Sequence, residues 1–463
     1  MQDFDAAKLL QFFDQIESNE QSMGSLSIYR NGQEVFQRPI GFEDREAGIK
    51  ASYLTRYRVG SITKSVMATI IMQMVEEGRL ELHSLLSKWF PMLENADAIT
   101  IKHLLQHRSG LFNFTDDDAF DSYSEMPQSQ ADLLAKFTAN ANVFPPGKQM
   151  QYSNTGYVLL SMIAEAIDGK LFNTLLQHRI AEPHNLTHTY HGGVIGAKAN
   201  EAHSYRIKNN WSRASESDMS VPMGAGGIVS TAADINTFYH ALFAGKIVKP
   251  TSVNLMTAMK DDYGFGLTEY KLDARHAFGH DGSIDGFNSI AAHFPEENTT
   301  FCYLSNGTVW GADNVGEGAA KIFYGHDYDI PDFKRMALPI AIRQFSDDPK
   351  LLERVKRVLN EGADIDAQSP EGDTALILVG WLTTNLPVVH YLIEQGADVN
   401  IANENGDTAL IDAAYLGKNN ILKILLDNGA EIEAKNNRGQ SALFVARETG
   451  NDEAVDLLRE AVR

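Results

Sequence analysis

Ser61-Ile-Thr-Lys64 holds the residues best suited to covalent chemistry. A serine and a lysine three positions apart share one face of a helix, so the amine reaches the hydroxyl. The following run, Ser65 to Val75, is apolar and free of Gly and Pro, and predicts a buried helix ending near Gly78. Ser61 then sits at the helix start, where free N–H groups and positive potential favour developing negative charge. A serine there is also a common N-cap, so the spacing alone does not establish a nucleophile. Further residues bear on it. Tyr152-Ser-Asn154 precedes a predicted helix from Thr155 to Glu165, and residues i and i+2 of an extended stretch project the same way. His280-Asp281-Gly282 adjoins a strand pattern, and its glycine allows close backbone approach.

The elements that position these residues form a mixed α+β domain. Ser25 to Arg30, Asn31-Gly32 and Glu34 to Phe36 read as a hairpin, because Asn-Gly is a strong two-residue turn signal. A helix-rich middle runs from Ser61 to about Gly245. Strand patterns return at Phe287 to His293 and Thr299 to Leu304. Strands from both ends are expected to share one antiparallel sheet flanked by helices.

Leu104-Leu-Gln-His-Arg-Ser-Gly-Leu111 and Gly224-Ala-Gly-Gly-Ile-Val-Ser-Thr-Ala-Ala-Asp234 are further distinctive phrases. Together with the three segments above, they resemble the serine β-lactamase and penicillin-binding-protein superfamily. The nearest branch is that of class C β-lactamases, D-Ala-D-Ala carboxypeptidases and esterases. The resemblance runs in order from about Leu26 to Asn306. It implies an acyl-enzyme on Ser61, with Lys64 drawing off its proton and Tyr152 passing a proton to the leaving group. It also implies substrate binding by Asn154, His280, Asp281 and Gly282, and an oxyanion hole from the Ser61 and Ser283 N–H groups. β-Lactamases of this superfamily carry Lys-Thr-Gly where this chain has His280-Asp281-Gly282. An Asp281 carboxylate pointing inward would repel a substrate carboxylate; one pointing away loses only the threonine hydroxyl. Either arrangement favours an ester, an amide or an amine-bearing D-amino-acid derivative over a β-lactam. The alternative is a weak or inactive hydrolase fold used as a binding or regulatory scaffold.

The C-terminal part repeats. Gly-Ala-Asp/Glu recurs at Gly362, Gly396 and Gly429, in phase with Gly372-Asp-Thr-Ala-Leu376, Gly406-Asp-Thr-Ala-Leu410 and Gly439-Gln-Ser-Ala-Leu443. These phrases resemble ankyrin repeats, with alanine in place of the usual proline. The expected organisation is a hydrolase-like domain over 1–330, a junction over 331–345 and an all-α ankyrin-type solenoid over 346–463. The helix from Pro349 to Asn360 is expected to complete a degenerate first repeat. The solenoid implies a protein partner, while the first domain implies a small-molecule or peptide substrate.

Formal net charge is −21, which argues against nucleic acid as a partner. The single cysteine, Cys302, excludes an intrachain disulfide and any Cys-based zinc site. His184, His188 and His191 lie in a loop-like stretch and read as structural, so neither metal nor cofactor is expected. No apolar run is long enough for a membrane span. The chain is expected to be cytoplasmic, or periplasmic or secreted if a signal peptide has been removed.

Overall fold

The Asn31-Gly32 turn joins Ser22–Arg30 (β1) to Gln33–Ile40 (β2). Both turn residues have positive φ, 54° and 75°, as the hairpin turn requires. The computed structural model describes residues 4–207 and 210–461. Four later strands complete the sheet: Thr268–Leu272 (β3), Arg275–Ile284 (β4), Phe287–Phe294 (β5) and Thr299–Thr308 (β6). Their order is β3-β4-β5-β6-β1-β2, antiparallel throughout. The two ends of the domain meet where β1 pairs with β6, from Ser22 opposite Thr308 to Arg30 opposite Thr299.

Ala6–Ser18 (α1) and Ala312–Phe323 (α5) pack together against this sheet. Ala232–Phe243 (α4) also packs on β1 and β6. Thr63–Glu76 (α2) and Asn154–Asp168 (α3) lie in the core of the helical part. Apart from Gln73, Val75 and Glu76, every residue of α2 is buried. A helix without a polar stripe has no face to give to water, which makes it central. Its buried hydroxyls are satisfied: Ser65 Oγ donates to the Gly266 carbonyl at 2.6 Å, and Thr69 Oγ1 to the Ser65 carbonyl. A short 3₁₀ turn, Gly60–Ile62, leads into α2 and carries Ser61.

Contacts divide the chain into Met1–Tyr328 and Asp329–Arg463. The second unit is a stack of helix pairs: Ala337–Phe345 (α6) with Leu351–Asn360 (α7), Ala375–Leu382 (α8) with Leu386–Glu394 (α9), Ala409–Tyr415 (α10) with Asn419–Asp427 (α11), and Ala442–Glu448 (α12) with Asp452–Ala461 (α13). The segment expected as a junction therefore contains a helix. Leu338 and Ile342 of α6 are buried in the same core as the repeats, because α7 alone has no neighbour to cover its apolar face. Thr374, Thr408 and Ser441 cap α8, α10 and α12 by accepting a backbone N–H in the first turn. Among the described residues no helix is long and apolar enough to cross a membrane.

Asp412 on α10 is an exception to this apolar core. Burial, and then the carboxylates of Asp407 and Asp373, push its carboxyl up to about 7, against a lowering interaction with Trp381. An unfolded-chain aspartate titrates near ~3.9. The folded state thus holds its proton longer, and this contribution to stability is full below pH ~4 and lost as pH rises through about 7. Asp412→Asn is expected to remove that fall, worth up to ~4 kcal/mol for a shift of about three units. Urea denaturation from pH 4 to 8 measures it; parallel losses in both chains would contradict the assignment.

Candidate active site

Lys64 is fully buried in the first turn of α2, and its Nζ has three neighbours. Ser61 Oγ lies at 2.8 Å, Asn154 Oδ1 at 2.8 Å and the Ala225 carbonyl oxygen at 2.7 Å. The last two can only accept, so they take two of the amine's N–H bonds. The remaining direction faces Ser61. Burial holds the Lys64 amine well below the ordinary lysine range, opposed in part by the charge of Asp281. Once deprotonated, an amine in this cage would direct its lone pair at the Ser61 hydroxyl.

The Tyr152 hydroxyl donates to Ser61 Oγ at 2.8 Å from the opposite chain segment. Burial raises the Tyr152 phenol above its ordinary value, the bond to Ser61 offsets part of this, and the Asp281 charge adds to it. The phenol therefore keeps its proton at neutral pH. Asn154 opens α3 and spans two partners, with Oδ1 on Lys64 and Nδ2 donating to Thr115 Oγ1 at 3.1 Å. The i, i+2 relation thus brings Tyr152 and Asn154 to the same pair of groups. His107, within the Leu104–Leu111 phrase, packs its ring 4.1 Å from that of Tyr152. Its Nδ1 accepts the Ser153 N–H at 3.1 Å, which ties the Tyr152 segment in place.

His280 is buried and turns both ring nitrogens to protein atoms. Nδ1 lies 2.6 Å from the Asp281 carbonyl, an acceptor, so it carries the hydrogen. Nε2 then accepts from the Tyr263 hydroxyl at 2.9 Å. Burial and the Lys64 amine push His280 down to about 4, with the Asp281 carboxylate opposing, so the ring is neutral near pH 7. The Asp281 side chain is 59% exposed and lies 3.3 Å from the Tyr270 hydroxyl. Neither His280 nor Asp281 lines the cavity beside Ser61. Strand alternation puts the Asp281 side chain on the face of β4 opposite to that of His280, exposed where His280 is buried.

Two glycines set the approach of β4 to the Ser61 turn. A Cβ on Gly282 would stand 2.3 Å from the Val59 carbonyl oxygen and 2.8 Å from Ser61 N. A Cβ on Gly60, whose φ is +52°, would stand 2.7 Å from Ser283 N. Ser61 and Ser283 both line one cavity, which has a volume of about 470 Å³. Thr115, Asp121, Glu125 and Arg206 also contribute to its wall. Among the described residues no group of three His, Cys, Asp or Glu is placed to hold a metal ion.

Residues 13–324 match the Beta-lactamase family. The chain belongs to the Beta-lactamase family. Residues 338–436 and 381–462 match Ankyrin repeats in overlapping blocks. A protein of Bacillus subtilis (strain 168) named for penicillin binding, PbpX, is 26% identical over 301 residues, or 65% of this chain and 74% of that protein. Teichoic acid D-alanine hydrolase of Staphylococcus aureus is 24% identical over 257 residues, covering 55% of this chain and 62% of that protein. Among solved structures, a D-stereospecific amidohydrolase from Streptomyces sp. is 26% identical with a TM-score of 0.60, over 68% of this chain and 98% of that chain. The chain thus has a serine-hydrolase-family fold carrying ankyrin repeats.

In this β-lactamase-family domain, one buried ion pair escaped the sequence reading. Arg58 Nη1 lies 2.6 Å from Asp285 Oδ2, with side chains 2% and 3% exposed. Asp285 sits in the β4–β5 turn, and its Oδ1 accepts from the Ser217 N–H and Oγ–H at 2.9 and 2.7 Å. Asp285 and Ser217 both line the cavity, so the pair fastens its wall to the sheet. Only Asp285-Gly286, a turn signal, marked the position in sequence. Removing one partner strands a buried charge. Arg58→Met is expected to destabilise the domain by about 3–5 kcal/mol. The double variant with Asp285→Asn should lose less than the sum of the two single losses, measured by denaturant unfolding. Additive losses would argue against the pairing.

Proposed function

We propose that the chain is a serine hydrolase that acts through an acyl-enzyme on Ser61, and that it acts on an ester or amide of an amine-bearing D-amino acid. The observation that carries the reading is the placement of Ser61 Oγ 2.8 Å from both a buried amine and a phenol. The Ser61 proton passes to the Lys64 lone pair as Oγ attacks the substrate carbonyl. The Ser61 and Ser283 N–H groups receive the developing oxyanion. As the tetrahedral intermediate collapses, Tyr152 gives its proton to the departing alcohol or amine, and is reprotonated from Lys64. Water then attacks the acyl-enzyme by the reverse relay, releasing the acid and restoring Ser61. Asn154 and Gly282 fix the amine and the oxyanion donors, while His280 ties β4 to Tyr263.

The cavity's charges support an amine-bearing substrate. Asp121 and Glu125 lie in its wall, and Arg206, the one cation lining it among the described residues, donates from Nε and Nη2 to the Asp285 carbonyl at 3.1 and 2.6 Å. Asp281, with its carboxylate outside the cavity, supplies no hold for a substrate carboxylate. The names of two relatives, a D-stereospecific amidohydrolase and a teichoic acid D-alanine hydrolase, agree with this class. The ankyrin repeats are proposed to bind a protein partner.

A substrate panel tests the reading: D- and L-alanine nitroanilides, D-alanyl esters, short-chain nitrophenyl esters, D-Ala-D-Ala peptides and a chromogenic cephalosporin, with wild type and Ser61→Ala. D-Alanyl derivatives are expected to turn over fastest, and Ser61→Ala to turn over none. A preference for the cephalosporin would overturn the substrate class; undiminished activity in Ser61→Ala would overturn the hydrolase assignment.

A further inference from the structure

Aligning the repeats on Ala375, Ala409 and Ala442 puts Leu378, Asp412 and Val445 at one equivalent position. All three are buried, so a carboxylate occupies a place that its neighbours fill with hydrocarbon. Asp412 is 4% exposed, and its Oδ2 has no hydrogen-bond partner. A carboxylate left in that state is unfavourable unless something satisfies it. The same alignment puts Trp381, Tyr415 and Glu448 at a second equivalent position, three residues further along the first helix of each pair. Trp381 is 46% exposed and Tyr415 55%, with ring centroids 6.3 Å apart and planes at 36°.

These features meet in one cavity of about 310 Å³, lined by Trp381, Asp407, Asp412, Tyr415, Arg438 and Glu448 among others. Its wall holds three carboxylates and one guanidinium. Arg438 makes no ion pair with any of the three within the described residues. Asp407 already accepts from Asn436 Nδ2 at 2.8 Å, which leaves Asp412 Oδ2 as the acceptor without a donor. Two aromatic faces beside a carboxylate with one unsatisfied oxygen suit a cationic side chain: the rings bind its charge and flank its stem, and the carboxylate accepts its N–H bonds.

We propose that this cavity is a recognition pocket for one arginine or lysine side chain of a partner protein, held between Trp381 and Tyr415 with its charged end on Asp412. An anchor without an N–H donor would leave Asp412 Oδ2 unsatisfied, so the pocket discriminates against it. The pocket uses none of the residues assigned to hydrolysis, and a Ser61→Ala chain is expected to bind equally well.

The test uses the full chain. A random dodecapeptide phage library is panned against it, and the strongest binder is synthesised with its cationic residue intact or replaced by glutamine. Selected peptides are expected to share one Arg or Lys at a fixed position, and the glutamine peptide to bind at least tenfold more weakly by calorimetry. Asp412→Asn and Trp381→Ala should each weaken the intact peptide tenfold or more. Trp381 is a surface side chain, so its truncation leaves the repeat core in place and keeps the test valid should Asp412→Asn fold poorly. An empty selection, binders without a fixed cation, or unchanged affinity in both variants would overturn the pocket.

Discussion

Lys64→Met is expected to leave a folded chain that acylates Ser61 about 10³- to 10⁴-fold more slowly. Methionine matches the lysine stem in length and carries no base, so the substitution separates the amine's chemistry from its packing. Lys64 is fully buried, and Asn154 Oδ1 and the Ala225 carbonyl fix two of its hydrogens. Only the third direction meets Ser61 Oγ. The rate of fluorophosphonate labelling at Ser61 reads this step directly, and circular dichroism checks folding. Labelling by Lys64→Met at the wild-type rate would exclude the amine as base. The pH profile carries the same signature. The active form is the neutral amine, so activity rises as pH climbs through the Lys64 pKa. Because burial lowers that pKa well below the ordinary lysine value, the rise is expected well below the pH at which an exposed lysine titrates.

Gly282→Ala is expected to lower kcat by about 10²- to 10³-fold, the scale of losing one oxyanion-hole donor. The added methyl would sit 2.3 Å from the Val59 carbonyl oxygen and 2.6 Å from Ser289 Oγ. Val59 lies two residues before Ser61 and cannot move aside without carrying it along. The strand and the 3₁₀ turn must separate, and the Ser283 N–H withdraws from the place proposed for it beside the Ser61 N–H. The loss should fall on kcat with KM less affected, since the oxyanion exists only after attack. Steady-state kinetics on a nitrophenyl ester measures the split. A Gly282→Ala chain with wild-type kcat would show that β4 does not supply the second donor. Gly60→Ala should be similarly damaging, because φ of +52° adds backbone strain to the same approach.

The reach of the sequence follows from how local each relation is. Ser61 and Lys64 lie within one helical turn, and their contact follows from that spacing. Tyr152 and Asn154 are joined by the i, i+2 rule of an extended segment, and both arrive at the Ser61–Lys64 pair. The Asn31-Gly32 hairpin and the repeat period are equally local, and each was readable before any coordinate. The helix Ala337–Phe345 was not, because its apolar face has meaning only once α7 and α8 lie beside it.

What only the tertiary structure decided is the direction of side chains and the partners they find across long separations. The motif His280-Asp281-Gly282 was legible, but it took the pleat of β4 and Tyr263 to turn His280 inward and Asp281 outward. Arg58 and Asp285 are 227 residues apart, and nothing in either neighbourhood announces the other. Residue types and short spacings determined which chemistry this chain can attempt, since those depend on covalent geometry and helix or strand periodicity. Burial, charge state and the closeness of β4 to Ser61 belong to the packed molecule, because desolvation and close contact exist only after distant segments have met.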